Sequence, residues 1–166
     1  MAEKLTKSDV EKIQAEIDDR KYVQRPKLIE EVKETRAQGD LSENFEYHEA
    51  KRAKNRNESR IRYLENVLKN AIMVEDEHED GTVGINDSVT LYFPDDDMTE
   101  TYKLVTSIRS DSAQNKISIE SPVGAAIRGK KCGETVHITV SPEVAYDVII
   151  KEIISGDAED DNIQPY

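Results

Sequence analysis

The chain has 166 residues, of which 36% are apolar and 35% charged, and its net charge is −12. That length suits one ordinary domain or two small ones with a modest core. No run reaches the roughly 18 apolar residues of a membrane helix, and the first residues lack the apolar centre of a signal peptide. Cys132 is the only cysteine, which excludes an intramolecular disulfide and argues against a thiolate metal site. We therefore expect a cytoplasmic protein without a membrane partner.

The acidity is unevenly distributed. Residues 1–74 hold 16 Lys and Arg against 15 Asp and Glu, whereas residues 75–166 hold 7 against 20. A strongly negative chain is a poor partner for nucleic acid, because phosphates are bound by Lys and Arg. The nearly neutral first half is still compatible with a nucleic-acid partner. The change in charge between the halves indicates two domains.

The first half predicts a helical hairpin. Its apolar positions are Val10, Ile13, Ile17, Leu28 and Val32, then Ala50, Ala53, Ile61, Leu64, Leu68 and Ala71, with Asn57 in the same row. Steps of three and four indicate helices with one apolar stripe each, and a short connection favours antiparallel packing. Helices of 25–30 residues make a rod of roughly 40 Å with the sequence GDLSEN at its end. Pro26 either kinks the first helix or separates two helical pieces.

The second half changes to a period of two, which indicates strands. Five are predicted, at 88–93, 101–105, 116–119, 135–140 and 145–150, with a hairpin loop at 94–100 and one short helix within 121–131. The predicted fold class is α+β: an antiparallel coiled-coil hairpin followed by a small antiparallel sheet domain with a short helix. The predicted boundaries are 1–74 for the coiled coil, 75–85 for an acidic linker, 86–155 for the sheet domain and 156–166 for a frayed acidic tail.

The stretch GDLSENFEY has two interpretations. Asp40 and Glu43 have the spacing of a capping box at the start of the second helix, where their charges favour the positive helix end. Alternatively, they are functional, because carboxylates at the end of a rod can enter another molecule's cavity and carboxylate oxygens are preferred by Mg²⁺. Two carboxylates are too few for a tight site, but they can complete a shared one.

A basic run follows. Arg52, Arg56 and Arg60 form an i, i+4 row beside Lys51, so this face is either a solvated helix surface or a place where RNA phosphates bind. The histidines share no metal-ligand spacing, and the motifs of nucleotide-binding proteins, zinc proteases and serine hydrolases are missing from the sequence. We expect no autonomous enzyme activity.

Three strings carry a resemblance. RPKLIEEVKETRAQGDLSENFEYHEAK, ESRIRYLENVLKNA and SPVGAAIRGKKCGE resemble the Gre family of bacterial transcription elongation factors, from about Leu5 to Ile154. The resemblance implies an FKBP-like second domain that docks on RNA polymerase, with Pro122, Val123, Gly124 and Ile127 as the expected docking element. Val123 and Ile127 have an equally good interpretation as a buried turn. Phe45 departs from the family, which usually has a small residue there.

The resemblance also implies a role for the acids. The coiled coil would enter the secondary channel of bacterial RNA polymerase, where Asp40 and Glu43 match family acids that help hold a second Mg²⁺ shared with the polymerase. The expected function is stimulated cleavage of backtracked RNA at the nascent RNA 3′ end, by a monomer that is not itself an enzyme. Two alternatives stay open: a Gre-fold regulator that inhibits polymerase through the same channel, and a coiled-coil adaptor unrelated to polymerase.

Overall fold

The structure, a computed structural model, describes residues 2–38, 44–75 and 78–165. They form two compact units. One contains Asp9–Ala71, and the other contains Glu3–Ser8 together with the chain from Ile72 onward. Residues 3–8 therefore belong to the second unit, because β1 (Lys4–Leu5) pairs in parallel with β2 (Ile72–Met73). Strands of two residues are too short to show a period, so neither was predicted.

The first unit is the predicted helical hairpin. It comprises α1 (Lys7–Asp19, whose first two residues lie in the second unit), a π-helical segment (Arg20–Gln24), α2 (Arg25–Arg36) and α3 (Phe45–Asn70). Glu16 contacts Arg60 and Thr35 contacts Asn44, so α3 runs antiparallel to the helices before it. The buried apolar side chains are Ile13, Ile17, Ala50, Ile61, Leu64 and Val67.

Pro26 lies in continuous helical backbone. Proline removes one backbone donor, and its ring crowds the carbonyl four residues earlier. The π-helical segment Arg20–Gln24 directly precedes it, and there the Arg25 N–H donates to the Arg20 carbonyl, five residues back. Asn57 Nδ2 donates to the same carbonyl at 3.1 Å. The wider π turn thus accommodates the proline, and the polar Asn57 in the apolar row supports that turn.

The second unit contains the five predicted strands in one sheet. They are β3 (Ser88–Phe93), β4 (Met98–Val105), β5 (Lys116–Ser118), β6 (Thr135–Ser141) and β7 (Val144–Ile154), in the order β5-β4-β3-β7-β6. The prediction of a purely antiparallel sheet is wrong for one pair, because β5 runs parallel to β4. The intervening chain contains two 3₁₀ turns, Ser107–Arg109 and Ser112–Gln114, which lets it return to the same end of the sheet, whereas a tight hairpin would reverse it.

The core of the second unit lies between one face of the sheet and α4 (Pro122–Ile127), the predicted short helix. Val83 is fully buried and Ile85 is 3% exposed in this core, so the prediction of a linker over 75–85 is wrong for its last residues. Acidic residues dominate the composition of that segment, so the alternation of Val83 and Ile85 was not recognised as a buried pattern. The FKBP-like assignment stays a prediction.

The acidic tail is not frayed as expected. Asp161 is 4% exposed and forms ion pairs with Arg109 at 2.7 Å, Lys116 at 2.9 Å and Lys103 at 3.0 Å. Arg109 is fully buried, and a buried guanidinium needs a carboxylate partner. Burial alone raises the pKa of Asp161, but hydrogen bonds from Lys116, Lys103 and Arg109 outweigh burial and lower that pKa to about 2.

Candidate functional site

The predicted acids Asp40 and Glu43 lie outside the described residues, but the helix ends on both sides of them are described. Helix α3 begins at Phe45, and its N-cap is Asn44, whose Oδ1 accepts a hydrogen bond from the Tyr47 N–H at 3.0 Å. The N-cap of α3 is therefore Asn44 and not Asp40, which argues against the capping-box interpretation of Asp40 and Glu43. An Asn directly before a helix is an ordinary cap signal that the sequence contained.

Asn44 also joins the two helices. Its Nδ2 donates to the Thr35 carbonyl at 2.7 Å, in the last turn of α2. Thr35 is itself buried, and its hydroxyl donates to the carbonyls of Glu31 at 2.9 Å and Val32 at 3.1 Å. We call the bonds of Asn44 to Tyr47 and Thr35 the Asn44 clamp. The clamp thus ties the end of α2 to the start of α3, the two described helix ends that flank the tip segment, residues 39–43.

Phe45 is the first residue of α3 and is 72% exposed. Its ring is thus not part of the hydrophobic seam of the hairpin. The position next to the clamp tolerates a large side chain because most of that side chain is exposed to solvent. The departure from the family's usual small residue therefore leaves the described helix ends intact and adds an apolar surface beside the tip segment.

The predicted basic row is only partly exposed. Lys51, Arg52 and Arg56 face solvent, and Arg52 pairs with Glu49 of the same helix. Arg60 is 8% exposed, and its Nε donates to Glu16 at 2.8 Å. The prediction of Arg60 as an RNA-binding residue is therefore wrong. Each step of four residues advances about 40° around a helix with 3.6 residues per turn, so the row turns from solvent into the seam.

Arg60 has a structural role instead. Glu16 accepts hydrogen bonds from Arg60 and from Arg20, each at 2.8 Å, and the Arg60 guanidinium lies 5.4 Å from the centroid of the Tyr63 ring. Burial raises the pKa of Glu16, but the hydrogen bonds from Arg60 and Arg20 outweigh burial and lower that pKa. Glu16 therefore stays ionised and links α1 to α3.

The predicted docking element lies in α4, and two of its four residues, Gly124 and Ile127, are buried. Ile127 is fully buried in the core and Val123 packs against the core, so for these two the buried-turn interpretation is the one that the structure supports. Gly124 is buried too, and a Cβ added there would lie 1.9 Å from the Ser118 carbonyl oxygen. Only Pro122 of the four is exposed. A docking partner can therefore reach Pro122 directly, while Gly124 and Ile127 shape the surface from below.

Within residues 2–38, 44–75 and 78–165, no group of three or more His, Cys, Asp and Glu side chains is arranged to hold a metal ion. The expectation of Mg²⁺ thus rests on Asp40 and Glu43. None of the helices in the described part of the chain is long and apolar enough to cross a membrane.

Comparison with known proteins covers both units. A family model described as "Transcription elongation factor, N-terminal" matches residues 3–72, and one described as "Transcription elongation factor, GreA/GreB, C-term" matches residues 77–155. The transcription elongation factor GreA of Acholeplasma laidlawii is 38% identical over 149 residues, which cover 90% of this chain and 94% of that protein. GreA of Staphylococcus epidermidis is 35% identical with the same coverage.

Among solved structures, GreA factor homolog 1 (Gfh1) of Thermus thermophilus matches 92% of this chain and 99% of its own, with 22% identity and a TM-score of 0.43. The two family models together match most of the sequence, and the GreA relatives exceed a third identity over nine-tenths of it. The chain belongs to the GreA/GreB family of transcription elongation factors.

Proposed function

We propose that this protein binds bacterial RNA polymerase through its second unit, inserts its helical hairpin into the secondary channel and stimulates cleavage of backtracked nascent RNA. The observation that carries the proposal is the Asn44 clamp, which joins the described helix ends on either side of the sequence that contains Asp40 and Glu43. Helix α3 alone has 26 residues, so it is about 39 Å long and can reach deep into a partner.

The two carboxylates fit a shared Mg²⁺ site by their chemistry. They supply oxygen donors, which Mg²⁺ prefers, but too few of them for tight binding by this chain alone. Asp40 and Glu43 would hold the ion together with carboxylates of the polymerase and the RNA phosphate. Bound there, the ion would supply the second metal of a two-metal phosphoryl displacement.

The described residues of the hairpin orient the tip and attract its substrate. Positioning of reacting groups is worth orders of magnitude in rate, so anchors on both sides of the tip segment favour catalysis in the partner. Lys51, Arg52 and Arg56 are exposed on the helix that follows the tip, where their charges would draw in RNA phosphates near the 3′ end. The protein itself is proposed to be a monomer with no activity apart from polymerase.

A cleavage assay tests the proposal. Stalled elongation complexes with RNA labelled at the 3′ end are incubated with Mg²⁺, with and without the protein. Release of short labelled fragments only in its presence is the expected result. Inhibited elongation without fragment release would favour the alternative of an inhibitory regulator. If the protein has no effect on polymerase, the remaining hypothesis is a coiled-coil adaptor unrelated to polymerase.

The exposed arginines provide a prediction. Changing Arg52 and Arg56 together to Ala should reduce stimulated cleavage about 3- to 10-fold at moderate salt, because two phosphate contacts are lost. The salt dependence of cleavage should become shallower as well, while the melting temperature stays near that of wild type. Cleavage is measured in the same assay over a salt series.

Arg60→Ala is the matched control for these arginines. It breaks the buried contact with Glu16 and should lower stability, with cleavage per folded molecule little changed. Equal cleavage by the Arg52 and Arg56 double variant and wild type at every salt concentration would show that these arginines form only a solvated helix face.

The docking element provides a second prediction. Pro122→Ala should weaken polymerase binding while changing the free energy of unfolding by less than about 0.5 kcal/mol, because Pro122 is exposed. Gly124→Ala should destabilise the second unit by about 1–3 kcal/mol, because its Cβ would collide with the Ser118 carbonyl. Polymerase affinity and urea unfolding are measured for both. If Pro122→Ala binds polymerase with wild-type affinity, the docking surface lies outside α4.

A further inference from the structure

A small pocket with aromatic walls lies at one end of the sheet in the second unit. Phe93, Tyr102 and Tyr146 pack against the core at the edge of the pocket, and the centroid of the Phe93 ring is 6.5 Å from that of Tyr102 and 6.0 Å from that of Tyr146. The cavity volume is about 210 Å³. Burial raises the pKa of Tyr102, so its phenol stays neutral at physiological pH.

The rest of the pocket wall consists of Met98 and three aspartates. Asp95 and Asp96 come from the loop between β3 and β4, and Asp147 comes from β7. Asp147 Oδ1 lies 2.7 Å from Nδ1 of His137, whereas no Lys or Arg of the described part of the chain lies within ion-pairing distance of Asp95 or Asp96. The pocket therefore combines aromatic faces with two carboxylates, those of Asp95 and Asp96, that form no ion pair with a Lys or Arg of the described residues.

The opposite face of the same hairpin has a similar combination of groups beside a cation. Successive residues of a strand point to opposite faces, so Tyr92 faces away from Phe93. The Tyr92 hydroxyl donates to Asp97 at 2.8 Å, and the Lys151 ammonium lies 5.4 Å from the centroid of the Tyr92 ring. There, Lys151 lies over the ring of Tyr92, which is itself hydrogen-bonded to an aspartate. In the pocket, aromatic rings and aspartates are likewise close together, but they are open to solvent.

Size and charge narrow the choice of ligand. The volume is below the roughly 300–1,000 Å³ of sites for drug-sized molecules, so the pocket suits one side chain better than a nucleotide or a cofactor. Its carboxylates would repel phosphates, which argues against nucleic acid. Cations are attracted to aromatic faces, and the planar guanidinium of arginine also stacks on them.

We propose that this pocket binds an arginine side chain presented by a partner protein. The inference goes beyond the proposed function, because it assigns a ligand to the acidic loop 95–97 and does not depend on the tip, on Mg²⁺ or on α4.

NMR of the full-length protein tests the proposal with a defined probe. The peptide N-acetyl-Gly-Arg-Gly-amide is titrated into labelled protein, and the same peptide with citrulline in place of arginine is the neutral control of equal shape. The arginine peptide should shift the amide resonances of the β3–β4 loop and of residues near 146, and the citrulline peptide should shift them far less. Added salt should weaken the binding.

Two variants locate the binding site. Asp96→Asn removes a charge from an exposed loop, and Tyr146→Ala removes one wall; each should weaken arginine binding about 3-fold or more. Asp160→Asn, an exposed aspartate outside the pocket, should bind like wild type. The spectra themselves report whether each variant is folded. Equal shifts with citrulline, equal weakening by Asp160→Asn, or no shift at tens of millimolar peptide would overturn the proposal.

Discussion

Changing Asp40 to Asn or Glu43 to Gln is expected to reduce stimulated RNA cleavage about 100-fold or more, the scale of effect seen when reacting groups lose their positioning. The amides keep the size of the acids but remove the charges that Mg²⁺ requires. Since α3 is capped by Asn44, neither change removes the helix cap. The melting temperature of each variant should therefore stay close to that of wild type. Cleavage is measured per folded molecule in the stalled-complex assay.

Asn44→Ala is the matched control for the tip acids. It removes the N-cap, which costs about 1 kcal/mol, and it breaks the bond to the Thr35 carbonyl. We expect a lower melting temperature and a partial loss of cleavage, because the acids stay but their anchor is loosened. The metal-holding role would be contradicted if Asp40→Asn and Glu43→Gln melted early and cleaved normally. Those acids would then act only in stability.

Changing Asp161 to Asn is expected to destabilise the second unit by about 3 kcal/mol. The variant leaves Arg109, which is fully buried, without its carboxylate, and loss of one partner from a buried ion pair typically costs about 3–5 kcal/mol. A pKa lowered from 3.8 to about 2 corresponds to about 2.5 kcal/mol, which lies slightly below that range. Urea unfolding followed by a signal from the sheet measures the effect.

The pH dependence of this contribution has a defined sign. Because the pKa of Asp161 is lower in the folded state than the value of 3.8 for an unperturbed aspartate, the stabilisation is present above about pH 5. It is lost progressively as the pH falls through 3.8 toward 2. Asp161→Asn should flatten this acid limb. The neighbouring Asp160→Asn should change stability by less than about 0.5 kcal/mol, since Asp160 is exposed. Equal effects of the two variants would refute a buried role for Asp161.

The sequence predicted the hairpin and the strands because their patterns are local. The apolar row through Ile61 and Leu64 has the helical period, and the alternation of Val89 and Leu91 has the strand period, and both pairs are buried in the structure. Even the placement of polar Asn57 in the seam followed from its position in the row. The parallel pairing of β5 with β4 was missed, because the direction of a strand is not encoded in its own pattern.

Residues whose role depends on distant partners were predicted less well. Arg60 looked like a member of an exposed row, but helical geometry brings it against Glu16, 44 residues earlier in the chain. Asp161 lies in a polar segment, and nothing near it indicates that the buried Arg109 needs its charge. Val83 and Ile85 were assigned to a linker because acidic neighbours dominate that segment. In each case a contact between distant parts of the chain decides the role of the residue.

The most direct test of the central claim is the Mg²⁺ dependence of stimulated cleavage in stalled elongation complexes. If Asp40 and Glu43 help to hold the second ion, Asp40→Asn should require a several-fold higher Mg²⁺ concentration for half-maximal cleavage, and excess Mg²⁺ should restore part of the activity. Polymerase binding by the variant should match that of wild type. An unchanged Mg²⁺ requirement, with cleavage reduced or not, would contradict a metal-holding role for the tip acids.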